Sequence, residues 1–368
     1  MDIVCEKSVL SSALGIVQRA VAAKSPLPTL KGILFDCKDD QLYLSATDLE
    51  LGLRCTVNIE VRSPGSVVLP AKLLTEFVRR LPEGNVRLFS DNENPMQVTI
   101  ACGAVKFNIT GFSAEEFPKL PETSDPNTEF AVNEGLFKEM LMQTEVAIAR
   151  EETRPILTGI LLEVDNDKIK LVATDGHRLA YRQAKVEISE TTKAVIPGKV
   201  VQELIRILDD EGNDLKIHIG NSDITFMVDS IVLSSRLLEG KYPPYQQIIP
   251  SDFKTTVVTE AKPLLAALER AEVVAREGAN NLVKLSVGEE LNISASSPDI
   301  GNLEDTVATE KTGEDLDIRF NVKLLLDSLK NIKSQQVSID LTGEFSPCLI
   351  RPLHDHNYIH LVLPVRLS

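Results

Sequence analysis

The residues best suited to chemistry in this sequence are Asp175 and His177, which flank Gly176. A carboxylate beside an imidazole is typical of hydrolases, but hydrolysis also needs a nucleophile and a donor for the oxyanion. No GxSxG segment accompanies the pair, and Gly198 with Lys199 is not part of a GxxxxGK[ST] phosphate-binding loop. We therefore expect no catalysis and no use of ATP.

A second group of potentially reactive residues is His354, His356 and His360, with Asp355 among them. On one face of a strand these side chains could hold a metal ion. Their spacing matches no common zinc pattern, and residues 354–357 are typical of a hairpin tip. We expect an exposed turn here, with no metal and no cofactor.

Basic residues recur at a spacing that indicates an ionic surface. A lysine is followed seven residues later by a second base at three places: Lys72 and Arg79, Lys199 and Arg206, and Lys323 and Lys330. On a helix a seven-residue step returns to within about 20° of the same direction, so each pair forms one stripe. In the first of these helices the stripe should lie opposite a buried face of Leu73, Leu74, Phe77 and Leu81.

The three stripes lie at equivalent places of a threefold internal repeat. Residues 30–34, 46–48 and 69–72 match residues 157–161, 173–175 and 196–199 at an offset of 127. A fainter third copy contains residues 282–285, 295–297 and 320–323, and Lys323 follows Lys199 at an offset of 124. Arg19 and Arg270 also correspond, whereas the middle copy has Val146 there. Recurrence in three diverged copies favours a shared contact with a phosphate backbone, made without reading bases.

Each copy alternates helical and strand-like apolar spacing, which predicts two helices on antiparallel sheet and an α+β fold. The predicted first-helix faces are Leu10, Leu14, Val17 and Val21; Phe137, Leu141, Thr144 and Ile148; and Leu264, Leu268, Ala271 and Ala275. The second-helix faces continue with Val201, Leu204, Ile205 and Leu208, and with Leu325, Leu329 and Ile332. Alternating stretches are 41–46, 98–110, 168–173 and 224–236, with turns at 39–40 and 166–167. Polar, proline-containing linkers at 121–127 and 250–252 predict domains 1–125, 126–251 and 252–368.

Composition sets the class of the molecule. The 368 residues carry a formal net charge of −15, so any nucleic-acid contact must depend on where the bases are placed. Five scattered cysteines form no CxxC pair, and the N-terminal segment lacks the basic start and apolar block of a secretory signal. No apolar run approaches the length of a membrane span. We expect a cytoplasmic protein without disulfides.

Four segments of the sequence resemble the bacterial DNA sliding clamp family, the beta subunit of DNA polymerase III. These segments are residues 153–159, 173–179, 242–245 and 363–367, and the likeness extends over the whole chain. The resemblance implies the DNA clamp fold, in which two three-domain chains pair head to tail into a closed ring around duplex DNA. It implies a polymerase processivity factor, not an enzyme, that binds DNA without sequence specificity and serves the polymerase, the clamp loader and repair proteins.

The resemblance also implies three sets of site residues. Helices of the family line the DNA, and the expected DNA-facing set is Arg19, Lys24, Lys72, Arg79, Arg80, Arg154, Lys199, Arg206, Arg270, Lys323 and Lys330. A pocket between domains 2 and 3 takes a short peptide, by match with Arg154, Leu157, Thr174, Gly176, His177, Arg178, Leu179, Pro243, Ile248, Leu361, Val362, Leu363, Pro364, Val365 and Arg366. Apolar walls with a few polar groups suit an extended peptide with hydrophobic anchors. The implied dimer interface comprises Phe107, Ile109, Val273 and Val274.

The sequence leaves two points open. The loop from Glu151 to Ile156 departs from the family pattern, with Glu151 where a neutral amide can occur and Pro155-Ile156 where two tyrosines can occur, so its contact with DNA is undecided. Two alternatives to a dimeric clamp remain. One is a three-domain adaptor that binds peptides but no DNA, and the other is a ring formed by one chain or by three.

Overall fold

Six helices form where the apolar spacing predicts them. The computed structural model describes residues 1–91, 93–120, 126–151, 153–188, 190–210, 212–278 and 281–366. The helices in this part of the chain are α1 (Lys7–Val17), α2 (Ala71–Arg79), α3 (Glu134–Thr144), α4 (Gly198–Ile207), α5 (Ala261–Ala275) and α6 (Val322–Lys330). Among the described residues, no helix is long and apolar enough to cross a membrane.

The remaining regular structure is antiparallel sheet. The strands of the first third are β1 (Asp2–Glu6), β2 (Gly32–Lys38), β3 (Gln41–Thr47), β4 (Leu51–Asn58), β5 (Glu60–Ser63), β6 (Gly65–Pro70), β7 (Asn85–Ser90), β8 (Gln97–Cys102) and β9 (Val105–Thr110). Those of the middle third are β10 (Thr128–Asn133), β11 (Gly159–Asp165), β12 (Lys168–Thr174), β13 (Arg178–Lys185), β14 (Thr192–Pro197), β15 (Asp214–Ile219), β16 (Asp223–Val228) and β17 (Ile231–Arg236). The last third has β18 (Thr255–Glu260), β19 (Leu282–Val287), β20 (Leu291–Ser297), β21 (Gly301–Val307), β22 (Glu310–Gly313), β23 (Leu316–Asn321), β24 (Gln336–Leu341), β25 (Cys348–Pro352) and β26 (Tyr358–Val362).

The chain divides into two compact units, and the division passes within α3 and α4. One unit comprises Met1–Leu136 with Glu203–Leu237, and the other Phe137–Gln202 with Leu238–Ser368. The first unit contains a five-stranded sheet, β5-β1-β7-β8-β9, and an eight-stranded sheet, β10-β15-β16-β17-β4-β3-β2-β6. The second unit contains a nine-stranded sheet, β14-β11-β12-β13-β26-β25-β24-β18-β22, and a four-stranded sheet, β21-β20-β19-β23.

Two of these sheets combine strands from successive copies of the repeat. β4 of the first copy pairs with β17 of the second, and β13 of the second pairs with β26 of the third. An unpaired strand edge exposes backbone donors and acceptors, so joining edges satisfies both copies. The predicted α+β fold is confirmed, but this sharing of sheets was not anticipated. The predicted domain limits stay a prediction, and residues 121–125 of the first linker lie outside the described residues.

The first helices bury the faces that their periodicity predicts, except at their ends. Leu10, Leu14 and Val17 are buried in α1, and all four predicted residues of α5 are buried. Val21 and Ile148 lie beyond α1 and α3, which end in 3₁₀ turns at Gln18–Ala20 and Glu145–Ala147. The predicted stretches 98–110 and 224–236 are each two strands joined by a tight turn.

The three histidines do not share one face of a strand. His354 and His356 lie in the connection between β25 and β26, which confirms the hairpin tip. His360 lies in β26 and is fully buried, with its Nε2 2.6 Å from the Tyr358 hydroxyl. Among the described residues no cluster of His, Cys, Asp and Glu could hold a metal ion. All five cysteines are buried thiols.

Candidate functional sites

The basic stripe of α2 is exposed, but the buried face differs from the predicted one. Lys72 and Arg79 are exposed, and neither has an ion-pair partner among the described residues. Leu74 and Val78 face the core, whereas Leu73 is 52% exposed, so its predicted burial is wrong. The helix carries leucines at adjacent positions, and its packing against α1 and the sheet determines which one is buried.

The basic stripes of α4 and α6, the second helices of the other two copies, are also exposed. Lys199 and Arg206 are exposed on α4, which buries Val201, Leu204 and the following Leu208. Lys323 and Lys330 are exposed on α6, where neither has an ion-pair partner in the described chain. The buried residues of α6 include Leu325 and Leu329, as predicted. The Asn321 side chain accepts a hydrogen bond from the Lys323 amide at 3.0 Å and caps this helix.

Four of the predicted DNA-facing arginines are already paired with carboxylates. Glu203 is 6% exposed and contacts Arg206 at 2.5 Å and Arg19 at 3.9 Å. Two further pairs complete this set: Arg80 with Glu76 at 2.7 Å and Arg270 with Asp305 at 2.6 Å. The hydrogen bonds from Arg270 hold the pKa of the Asp305 carboxyl below its ordinary value and raise the pKa of Arg270. Part of the positive charge is therefore compensated within the chain.

Glu203 was not among the predicted site residues, which are bases on this helix. A carboxylate stands four positions after the stripe lysine in every copy, as Glu76, Glu203 and Asp327. These positions obey the same offsets of 127 and 124 as the lysines. The repeat therefore carried the signal for a recurring acid.

Lys24 and Arg154 lie outside the helices. Lys24 is exposed ahead of the 3₁₀ turn Pro28–Lys31. Arg154 is exposed and immediately precedes the 3₁₀ turn Pro155–Thr158. Both are accessible to a ligand.

The centre of the candidate peptide pocket is a turn between β12 and β13. Thr174 donates to the Arg178 carbonyl at 2.7 Å, and the Gly176 amide donates to the threonine hydroxyl at 3.2 Å. Asp175 Oδ1 accepts from the backbone amides of His177 and Arg178 at 2.9 and 3.0 Å. The aspartate that could have suggested catalysis is thus used to shape a turn, which leaves the His177 ring exposed.

Arg178 anchors this turn to α6. Its guanidinium donates to Asp175 Oδ2 at 3.0 Å and to Asp327 Oδ2 at 2.7 Å, and the residue is only 7% exposed. A buried guanidinium needs such partners, because an unpaired charge in this place would be strongly destabilising. The guanidinium therefore organises the pocket wall and is not free to bind a ligand carboxylate.

A cavity of about 530 Å³ opens beside the turn and brings five predicted pocket residues together. The predicted residues in its lining are Arg154, Leu157, Gly176, His177 and Arg178. The cavity also borders residues 148–151 and Thr153, so Glu151 lies in its wall.

The remaining predicted pocket residues divide into buried and accessible groups. Leu179 and Leu361 belong to a buried apolar cluster with Tyr245, and Val362 belongs to the larger core of this unit. Pro243 is half-buried, and Ile248 is 48% exposed. Burial raises the pKa of the Tyr245 phenol, which donates to Glu163 at 2.7 Å. Leu179, Leu361 and Val362 are therefore core residues that hold the strands next to the pocket in place.

The segment after β26 forms an exposed apolar edge. Leu363 is 37% exposed, and its amide donates to the His177 carbonyl at 2.9 Å, which joins this segment to the pocket turn. Pro364 and Val365 are half-buried. Arg366 is exposed and donates to the carbonyl of Phe345 at 3.5 Å. Phe345 is 62% exposed and was missed, because a single aromatic residue in a turn has no periodicity to reveal it.

The predicted dimer residues differ in accessibility. Phe107 is half-buried on β9, with its ring centroid 4.3 Å from that of Phe77, and Ile109 is 4% exposed. Val273 is 54% exposed near the end of α5, whereas Val274 packs partly against the core. β9 is an edge of the five-stranded sheet, and β21, which packs on α5, is an edge of the four-stranded sheet.

Comparison with known proteins assigns the family. Models of the DNA polymerase III beta subunit match the chain with the N-terminal domain at residues 1–121, the central domain at 131–244 and the C-terminal domain at 246–366. The beta sliding clamp of Bacillus subtilis (strain 168) is 36% identical, with 100% of both chains covered. That of Staphylococcus epidermidis is 33% identical, over 100% of this chain and 99% of the relative.

Solved structures agree with these matches. The DNA polymerase sliding clamp of B. subtilis superimposes with a TM-score of 0.96 at 34% identity, and the beta subunit of Thermotoga maritima with 0.92 at 31%. The Pseudomonas aeruginosa clamp bound to griselimycin has a TM-score of 0.95 at 27% identity. Each comparison covers 100% of both chains. This chain belongs to the DNA polymerase III beta subunit family.

Proposed function

We propose that this chain is a DNA polymerase processivity factor that acts as a head-to-tail homodimeric ring around duplex DNA. The observation that carries the proposal is the set of three second helices, each of which exposes two bases away from its buried face. Such stripes are needed where a duplex passes along helices, and they recur in a chain whose formal net charge is −15. The acidic remainder would repel DNA from other surfaces.

Contact with phosphates alone suits a protein that moves along DNA. Lys72, Lys323 and Lys330 end in compact ammonium groups that lack ion-pair partners among the described residues. Ammonium groups neutralise phosphates without specifying bases, and the affinity that they provide falls steeply with salt. Weak contacts are sufficient for a closed ring, because the ring is held on DNA by topology.

The sheet edges support ring closure by two chains. Within the chain, β4 pairs with β17 and β13 pairs with β26, each time joining one copy of the repeat to the next. By the same correspondence, β21 of the last copy would pair with β9 of the first copy of a partner chain. Phe107 lies on β9, and Val273 lies on the helix that packs on β21, so both would flank this junction.

The cavity at the β12–β13 turn is proposed to bind a short peptide from the polymerase, the clamp loader and repair proteins. Ile248, Leu363 and Phe345 supply accessible apolar surface, while Arg154 and His177 supply polar contacts. An extended peptide with hydrophobic anchors fits this combination. In this role the chain is a cytoplasmic scaffold that needs no cofactor and catalyses no reaction.

Charge reversal of one lysine per copy tests the proposal. A variant with Lys72→Glu, Lys199→Glu and Lys323→Glu should lose retention on closed circular DNA, because each helix would then repel phosphates. The matched control reverses the exposed lysines of three strands, Lys168→Glu, Lys185→Glu and Lys216→Glu, with the same change in net charge. Equal retention of both variants, measured by gel filtration with the plasmid, would refute the DNA-facing role.

A further inference from the structure

The acid that recurs in the second helix of each copy is Glu76, Glu203 or Asp327, and its ion-pair partners follow a pattern. Glu203 of the second copy contacts Arg19 of the first copy at 3.9 Å. Asp327 of the third copy contacts Arg178 of the second copy at 2.7 Å. In both cases the acid reaches a guanidinium of the copy that precedes it in the chain.

The residue of the middle copy that is equivalent to Arg19 shares a cavity with the acid of the third copy. Val146 stands at that position, at the offset of 127. Val146 and Asp327 line the same cavity of about 510 Å³. The residue equivalent to Arg19 is therefore near the acid here as well, but it is a valine, and Arg178 supplies the positive charge.

The first copy has the acid but no preceding copy. Its acid is Glu76, whose ion-pair partner among the described residues is Arg80 of the same helix. The carboxylate side chain is 49% exposed, and such exposed pairs contribute little. The third copy has the matching base: Arg270 is the equivalent of Arg19, and its side chain is 56% exposed.

We infer that Glu76 of one chain pairs with the partner's Arg270 across the dimer interface. The inference depends on the proposed homodimeric ring, in which the third copy of one chain precedes the first copy of the other. Arg270 already donates to Asp305, but a guanidinium has five N–H donors and can serve both carboxylates. Phe77 follows Glu76, and Val273 lies one turn after Arg270, so apolar groups would partly shield the pair from water.

Charge reversal and mixing test this contact. Glu76→Arg and Arg270→Glu should each weaken the homodimer at both of its interfaces, by about tenfold or more in dissociation constant. A one-to-one mixture of the two variants should recover dimers, because both interfaces of the mixed ring then join opposite charges. Sedimentation velocity at about 50 mM salt, where screening is modest, measures the masses.

Controls separate this inference from the proposed ring. Glu60→Arg makes the same charge change on β5, at the opposite edge of the sheet from β9, and should leave the dimer intact. Melting temperatures establish that each variant is folded, and the cycle of Glu76→Gln with Arg270→Gln provides a milder test if a reversal unfolds the chain. Additive effects in this cycle, or a mixture no more dimeric than the separate variants, would overturn the inference. A monomeric wild-type chain would instead refute the ring.

Discussion

Two turns of this chain share a hydrogen-bond pattern but differ in the residue that adopts a positive φ. Thr47 and Asp48 make the contacts of their equivalents Thr174 and Asp175, including amides bonded to the aspartate Oδ1. The next residue has a positive φ in both turns, 80° at Leu49 and 89° at Gly176. Glycine adopts this conformation freely, whereas leucine is strained by its Cβ.

A pair of glycine substitutions separates backbone strain from packing. A Cβ added at Gly176 meets nothing within 4 Å, so Gly176→Ala should destabilise the protein by about 1 kcal/mol through backbone strain alone. Gly15 also has open space, but it lies in α1, so Gly15→Ala should stabilise by about 0.5–1 kcal/mol. Urea unfolding monitored by circular dichroism measures the change in unfolding free energy of both variants. Changes of the same sign would contradict the claim that the backbone conformation at each glycine determines its effect.

The grouping of histidines in the sequence does not reveal that His360 is buried. Complete burial, together with the smaller effect of the positive charge of Arg178, lowers its pKa from 6.5 to about 3. Its Nδ1 is buried without a hydrogen-bond partner in the described part of the chain. The sequence placed three histidines close together, but burial of the third depends on strands that pair over long distances along the chain.

The depressed pKa of His360 makes stability depend on pH. The unfolded imidazole gains a proton below pH 6.5, whereas the folded one does so only near pH 3. Its contribution is therefore complete above pH 6.5 and is lost as the pH falls, with a slope of up to about 1.4 kcal/mol per pH unit. His360→Gln should flatten the change in urea midpoint between pH 6.5 and 5. The exposed His354→Gln variant is the control, and identical profiles for the two would contradict this account.

At the scale of elements, the periodicity of apolar residues predicted where the helices lie better than it predicted which residues they contact. The four buried residues of α5 are confirmed because their spacing leaves one apolar face. In α2 the apolar residues lie on two sides, and of the adjacent Leu73 and Leu74 only Leu74 is buried. The stripes and the recurring acid are visible in the sequence, but only the contacts show that Glu203 compensates both Arg19 and Arg206.

These pairings predict unequal effects for bases within the candidate DNA surface. Lys72→Gln should reduce the salt slope of duplex binding by about 0.9, as expected for one lost phosphate contact. Arg206→Gln should reduce it by less, because Glu203 already neutralises part of this charge. Fluorescence anisotropy with a short duplex over a range of salt concentrations measures the slopes. A loss at Arg206 that equals or exceeds the loss at Lys72 would contradict this view.

At the scale of the whole molecule, the sequence predicted three copies but not the sharing of sheets. The two joints between copies use strands more than 170 residues apart, as in the pairing of Arg178 with Val362. Alternation identifies strands and their buried faces but says nothing about which edges meet. The edges left at β9 and β21 are consistent with the proposed third joint, which requires a second chain.

The dimer prediction can be tested at an exposed position. Val273→Glu should give monomers, with a mass in solution near 40.5 kDa, while the wild type should have about twice this mass. Because Val273 is 54% exposed, the fold should persist. Ile248→Glu, also at an exposed apolar residue, should retain the dimer but lose peptide binding. Light scattering measures the masses, and a dimeric Val273→Glu variant would refute this interface.

The central claim is that the protein holds DNA by encircling it. The most direct measurement is gel filtration of the protein with a closed circular plasmid after loading, before and after the plasmid is cut once. A ring predicts that the protein elutes with the circle and is released when the DNA is linearised, although the phosphates in contact are the same. Equal retention on circular and linear DNA would contradict topological binding.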